Sequence, residues 1–374
     1  MDLSQVTLEI FSKLEQKWLY DCESGKKTRV LSIDGGGTDA IVSGEALVHL
    51  EDQIRRKTGD PDAMIVDFFD VVTGTGIGAI LAAMITADGG AGRPLFSAAE
   101  AVGYLEKRRS EMFRVVGNGI FRQRKRCSGK SFELALKEAL KKTDGQPLTL
   151  RDTCKPLLVP CFDLNSSAPF VFSRADATES PSYDFDLWKV CRATSATPGF
   201  FKPFPLTSTD RKTSCLAVDG GLVMNNPTAA AVTHVMHNKR DFPNVSGVED
   251  LLVLSLGNGQ LCNNPANRAV GKSSRLRQCD TSRVLNIVLD GVSDTVDQML
   301  GNAFCWNRSD YVRIQGKMTE RGVETLPFGG KRLLSASNGE RVESFVQRLV
   351  ASGKTSLPPS PCKVTAVSPL ADGR

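Results

Sequence analysis

Phe68-Phe69-Asp70-Val71-Val72-Thr73-Gly74-Thr75-Gly76-Ile77-Gly78-Ala79-Ile80-Leu81-Ala82-Ala83-Met84 is the stretch from which the fold is read. The run 68–73 has the aromatic and β-branched content of a buried strand, and 79–84 has the composition of a helix. Between them, Gly74-Thr75-Gly76-Ile77-Gly78 has the frame of a G-x-S-x-G nucleophile elbow in the strand-turn-helix setting such an elbow requires. The serine is absent. Gly76 holds its position, flanked by Gly74 and Gly78.

Outward from the elbow, strands and helices alternate. Arg29-Val30-Leu31-Ser32-Ile33 reads as a first buried strand ending at Asp34-Gly35-Gly36-Gly37, with a helix at about 41–57. Helices are expected at 98–113 and 131–142, then strands at 156–162 and 170–172. A helix at 187–194 leads into Ser195-Ala196-Thr197-Pro198. The strand 215–218 runs into Asp219-Gly220-Gly221, then Asn225-Asn226-Pro227 and a helix at 228–237. A last strong strand, 251–256, is closed by Gly257-Asn258-Gly259, and helices resume at 284–304 and 340–351. This alternation predicts a mostly parallel α/β sheet with helices on both faces. The organisation expected is an N-terminal amphipathic helix and linker (1–28), the α/β unit (29–260), a helical C-terminal extension packed on it (261–352) and a disordered tail (353–374).

Of the 374 residues, 41% are hydrophobic and 24% charged, enough to bury one large core. A balance of 47 basic against 42 acidic residues, net +5, makes no case for nucleic acid as a partner. The 10 cysteines show no C-x-x-C pair, and Met1-Asp2-Leu3-Ser4 lacks the basic-then-apolar order of a signal peptide. No apolar run approaches the roughly 18 residues of a membrane span. The expectation is an intracellular, cytosolic protein with free thiols, not secreted, whose membrane contact is peripheral.

Acyl transfer needs a nucleophile, a proton acceptor and donors aimed at the developing oxyanion. The unhindered N–H groups of Gly35, Gly36 and Gly37, in a turn ahead of a helix, form a nest for negative charge. Asp219 is the candidate acid. Only 3 histidines occur, His49, His234 and His237, each placed by pattern on a helix away from strand ends. A Ser-His-Asp triad therefore lacks its histidine, and such chemistry would need a Ser-Asp dyad.

In their order and spacing these segments resemble the patatin-like phospholipases, plant-type lipid acyl hydrolases with a Ser-Asp dyad. The resemblance covers roughly residues 29–260. It rests on Leu31-Ser32-Ile33-Asp34-Gly35-Gly36-Gly37, the run 192–198, Asp219-Gly220-Gly221 with Asn225-Asn226-Pro227, and Leu254-Ser255-Leu256-Gly257-Asn258-Gly259. The G-x-G-x-G elbow is similar to that of a plant subgroup whose members are regarded either as atypical lipid acyl hydrolases or as inactive. The resemblance implies a three-layer patatin-like fold and membrane glycerolipids, phospholipids and galactolipids, as substrate or ligand. It implies oxyanion donors at Gly35 to Gly37, the nucleophile position at Gly76, the dyad acid/base at Asp219, and no metal or other cofactor. One departure accompanies the missing serine. The family motif reads G-G-G-x-(Lys/Arg)-G, whereas Thr38-Asp39-Ala40 follows Gly37 here. Asp39, a carboxylate, thus replaces a cation beside a hole meant for negative charge, and Ala40 replaces the glycine that permits close approach.

Losing the nucleophile of a serine hydrolase costs on the order of 10^6 in rate and leaves roughly 10^3 to 10^4 over water. Asp219, at an ordinary carboxylate pKa, would be a poor base for an attacking water at pH 7. Two readings stand: a weak, atypical acyl hydrolase, or an inactive homologue that binds lipid or a protein partner in the former cleft. Other readings have less to stand on. Gly74-x-Gly76-x-x-Ala79 fits a dinucleotide fingerprint, but the acidic residue about 20 positions on is missing. Asp34-Gly35-Gly36-Gly37-Thr38 is similar to the phosphate loop of actin-like kinases, but a helix follows where that fold has a hairpin. His234 and His237 lack further metal ligands, Ser195 and Ser255 lie outside any elbow, Cys191 reads as a buried small residue, and Asp219 could simply hold its own loop. The basic segment Arg122, Arg124, Lys125 and Arg126 is either a solvated loop or a contact for anionic head groups, each cation then contributing about 1 kcal/mol.

Overall fold

Eight strands form the central sheet: β1 (Thr28–Ile33), β2 (Val71–Gly74), β3 (Leu157–Asp163), β4 (Ala168–Ser173), β5 (Phe204–Thr207), β6 (Ser214–Val218), β7 (Leu251–Leu256) and β8 (Tyr311–Ile314). Their spatial order is β8-β7-β1-β2-β3-β6-β5, with β4 paired to β3. β8, β7, β1, β2 and β3 are parallel neighbours; β4 and β6 run antiparallel to β3, and β5 antiparallel to β6. The connections supply α1 (Ile41–Thr58), α2 (Gly76–Thr86), α3 (Ala98–Met112), α4 (Gly129–Ala139), α5 (Arg174–Glu179), α6 (Leu187–Thr194), α7 (Gly221–Met224), α8 (Thr228–His237), α9 (Thr281–Ala303) and α10 (Asn338–Ala351). A separate hairpin, β9 (Arg321–Thr325) and β10 (Lys331–Ser337), precedes α10. This computed structural model describes residues 27–36, 41–90, 92–116, 126–259, 281–326, 330–351 and 353. Nearly all of the expected N-terminal helix and linker, Gly37 to Ala40, Arg122, Arg124, Lys125, the loop 263–280 and the tail beyond 353 lie outside the described residues.

The layering follows from strand alternation. Along β1, Leu31 and Ile33 enter one core while Val30 enters another. β2 separates Val72 from Val71, and β7 separates Leu252, Leu254 and Leu256 from Leu251 and Val253, in the same way. A parallel strand covered on both faces needs apolar residues at every position, which is why these runs show no polar alternation. Helices α1, α2, α3, α4, α6 and α10 pack on the first face; α8 and the end of α9 cover the second. The expected α/β fold, a largely parallel sheet between helical layers, is the fold observed.

The boundaries move in three places. Phe68 and Phe69 are buried, but they follow a short 3-10 turn, Ile65–Asp67, and Phe68 has a helical backbone; the strand starts at Val71. An apolar run cannot distinguish a buried turn from a strand. β5 contains Pro205, which a strand tolerates only where its missing N–H is not needed, and it lies at the sheet's edge. The C-terminal part is not solely helical: β8 extends the main sheet beside β7, so the sheet closes only after residue 311. Among the described residues no helix is long and apolar enough to cross a membrane.

Close backbone packing fixes the elbow. A Cβ on Gly78 would lie 2.4 Å from the carbonyl oxygens of Ile33 and Asp34, and one on Gly74 would lie 2.5 Å from the Gly78 carbonyl. The start of α2 thus rests directly on the end of β1. Gly78→Ala should destabilise the protein by about 3 kcal/mol. At the exposed helical Gly103 an added Cβ would have nothing within 4 Å of it, so Gly103→Ala should stabilise by about 0.5–1 kcal/mol. Urea unfolding checks both, and a Gly78→Ala protein as stable as wild type would contradict this account of the elbow.

Candidate active site

The carboxyl ends of β1, β2 and β7 converge on Asp34-Gly35-Gly36, Thr75-Gly76 and Gly257-Asn258-Gly259, the edge of an open α/β sheet where ligands bind. Gly76 opens α2 with φ +52°, the left-handed conformation of an elbow residue. Its N–H donates to the Thr194 hydroxyl at 3.1 Å. A Cβ there would sit 3.8 Å from the Gly35 Cα and 4.0 Å from the Thr194 carbonyl, ordinary contacts. The room for a nucleophile's first carbon is therefore open, and the backbone already has the shape that would strain any residue but glycine. The neighbouring Thr75 hydroxyl is committed, donating to the Met224 carbonyl at 2.6 Å.

Asp219 follows β6 and meets the same hub. Its N–H donates to the Ala196 carbonyl at 3.2 Å, and the next N–H, of Gly220, donates to the Thr194 carbonyl at 3.1 Å. Thr194 therefore bridges Gly76 to the Asp219 loop. Each carboxylate oxygen accepts one hydrogen bond: Oδ2 from the Thr197 hydroxyl at 2.5 Å and Oδ1 from the Gly221 N–H at 2.8 Å. Burial pushes the Asp219 carboxyl above the usual range, and those two hydrogen bonds oppose the shift without cancelling it. The expectation of an ordinary carboxylate pKa is thus corrected. A stronger base results, but one whose oxygens already serve its own loop.

The glycine turn is held from three sides. Asp34 N–H bonds the Leu256 carbonyl at 2.8 Å, and the Gly35 N–H donates to the Asn225 carbonyl at 2.8 Å. Gly35, expected to offer its N–H to an oxyanion, has that donor engaged. Gly36, with φ +138°, keeps the turn open, and Gly37 lies outside the described residues. Asn258 bonds the carbonyls of Asp34 (3.0 Å) and Gly35 (3.2 Å) and accepts from the Ser43 N–H (3.2 Å). This ties the turn to the start of α1. Over the other side, Leu289 of α9 lies so close that a Cβ on Gly221 would be 2.7 Å from it. Asn225 Nδ2 donates to the Leu289 carbonyl and the Ser293 hydroxyl.

Beneath the turn, Asp34 forms a buried two-pronged ion pair with Arg313 at 2.7 and 2.5 Å, and Arg313 also donates to Ser255 at 2.8 Å. Burial alone would lower the arginine's pKa; the Asp34 carboxylate outweighs that and raises it, so the guanidinium stays charged. Burial raises the Asp34 pKa, with Arg313 and Ser293 opposing.

The structure thus brings Gly35, Gly36, Gly74, Gly76, Gly78 and Asp219 together. Arg126 contributes backbone to a two-residue strand paired with Val115–Val116. Ser255 is a structural hydroxyl shared with Thr228 and Arg313, Ser195 Oγ is buried with no described partner, and Cys191 is buried. Among the described residues no group of 3 or more His, Cys, Asp or Glu is placed to hold a metal ion. Arg313, Ser293 and the role of Thr197 escaped sequence reasoning. Arg313 stands 279 residues from its partner and carries no local signal beyond a charge inside a short apolar strand.

The Asp219 shift has a sign that can be measured. A carboxyl whose folded pKa exceeds its unfolded value, about 3.9, contributes unfavourably as pH rises from that value to the folded one. Asp219→Asn removes the titration. Its melting temperature relative to wild type should therefore be higher at pH 8 than at pH 4, and a difference that is constant or reversed would refute the buried, raised carboxyl.

Comparison with known proteins gives the same arrangement a lineage. The family model described as "Patatin-like phospholipase" matches residues 31–232. The chain is 65% identical to "Probable inactive patatin-like protein 9" of Arabidopsis thaliana, over 100% of both chains. It is 43% identical to "Patatin-like protein 6" of the same plant, over 87% of this chain and 71% of that one. Among solved structures, VipD from Legionella pneumophila aligns at 12% identity and a TM-score of 0.37, covering 88% of this chain and 68% of that one, too distant to carry an argument. Elbow, glycine turn and Asp219 loop all fall within or beside a matched region spanning over half the sequence, and the chain belongs to the patatin-like phospholipase family.

Proposed function

We propose that this protein binds membrane glycerolipids, phospholipids or galactolipids, at the cytosolic side and does not carry out ordinary Ser-Asp hydrolysis of them. The observation that carries the reading is a left-handed Gly76 that presents no hydroxyl to attack, in an elbow whose backbone is otherwise kept. The engaged Gly35 N–H weakens the oxyanion side as well. The lipid class rests on the family. The name of the 65% identical relative, "Probable inactive patatin-like protein 9", agrees with lost hydrolysis. The proposed contact with anionic head groups through Arg122, Arg124, Lys125 and Arg126 rests on their charge alone.

One second reading has an observation behind it. A water would have to take the nucleophile's part beside Gly76, and the raised Asp219 pKa makes that carboxylate a better base for it than an ordinary one. This is the weak, atypical hydrolase.

Hydrolysis of phosphatidylcholine, a galactolipid and a p-nitrophenyl ester by wild type, Gly76→Ser and Asp219→Ala separates the two. The binding reading expects wild type at the buffer background, with vesicle binding intact, and Gly76→Ser raising ester hydrolysis about tenfold or more by returning a nucleophile to a preserved elbow. Wild-type turnover that Asp219→Ala abolishes would overturn it in favour of the water mechanism.

A further inference from the structure

The C-terminal elements α9, β8 and the β9–β10 hairpin border an open cleft of about 460 Å³. Its charged lining is four arginines, Arg308, Arg313, Arg332 and Arg341, against two carboxylates, Asp297 and Glu324. Most of these charges are matched. Arg313 chelates Asp34, Arg332 contacts one oxygen of Glu324, Arg308 stands 3.8 Å from the other, and Asp297 accepts from the Tyr311 hydroxyl at 2.7 Å.

Arg341 is the exception. Its Nη1 donates to the Arg313 carbonyl at 2.6 Å, and no described carboxylate pairs with it. The chain is shaped to hold it there. At the irregularity in the β9–β10 register stands buried Gly322, where a Cβ would lie 2.7 Å from the Arg341 Cδ and 2.9 Å from Nη1. Burial lowers its pKa, with Asp297 and Glu324 opposing from a distance, but a guanidinium stays protonated in a protein. A half-buried cation with donors to spare, over a wall that includes Phe304, Val323 and Leu334, lacks an anion.

We propose that this cleft binds a small amphiphilic oxyanion, a phosphate monoester or a carboxylate on a compact apolar group, with Arg341 as its anchor and Arg308 and Arg332 at its side. The volume falls within the range of small-molecule sites. A planar guanidinium held by a backbone carbonyl is already oriented to receive two oxygens. The apolar wall accounts for the rest of the ligand. The site is distinct from the one at Gly76, but both lean on Arg313.

Titration calorimetry on the full chain tests this with phenyl phosphate, benzoate, inorganic phosphate and uncharged benzyl alcohol. Wild type should bind one of the two aromatic anions saturably, which identifies the oxyanion, and ignore the alcohol. Arg341→Gln should weaken that binding about tenfold or more. If Arg341→Gln does not fold, as judged by circular dichroism, the double variant Arg308→Ser/Arg332→Ser takes its place, with about fivefold weakening expected. Absence of saturable binding up to about 10 mM, affinity untouched in the folded variant, or inorganic phosphate binding as well as phenyl phosphate would each overturn the proposal.

Discussion

The pairing of Asp34 with Arg313 is the constraint around which the rest of this end of the sheet is arranged. It joins the last residue before the glycine turn to β8, and through Ser255 and Ser293 it takes in β7 and α9. Taking both charges out of water is expensive, and the pair is tolerable because the geometry is two-pronged and Ser255 and Ser293 add further hydrogen bonds to it. An unpartnered Asp34 would cost about 3–5 kcal/mol in the strand end on which Gly74 and Gly78 rest. The glycine turn is therefore set by electrostatics below it as much as by its own flexibility.

Much of the fold was legible because buried parallel strands announce themselves. β1, β2 and β7 are short continuous apolar runs, and each is followed by a glycine-containing turn. Gly74, Gly76 and Gly78 owe their identity to local backbone geometry of a kind that a sequence can reveal. What stayed hidden was tertiary. The Gly35 N–H looks free until Asn225 is brought to it, and the Thr197 hydroxyl that holds the Asp219 carboxylate comes from 22 residues away. Arg313 belongs to a four-residue strand too short to read.

The elbow shows how little of a catalytic architecture depends on the catalytic atom. Gly76 keeps the left-handed backbone, Thr194 still bridges it to the Asp219 loop, and Thr75 still locks the turn to the end of α7. These contacts are all backbone or hydroxyl bonds that serve stability whether or not a serine is present. A glycine in this position removes strain and leaves the frame with no reason to collapse.

The span between Asp34 and Arg313 also governs the order in which the chain can be completed. The family-matched region ends at residue 232, yet the cation that neutralises the first strand's terminal carboxylate is not made until residue 313. At about 5–20 residues per second, a nascent chain would carry that orphaned acid for about 4–16 s after its family-matched part had been made. The motifs therefore cannot reach their final state until β8 has been made, and the setting of the glycine turn waits on a strand that lies outside the family-matched region.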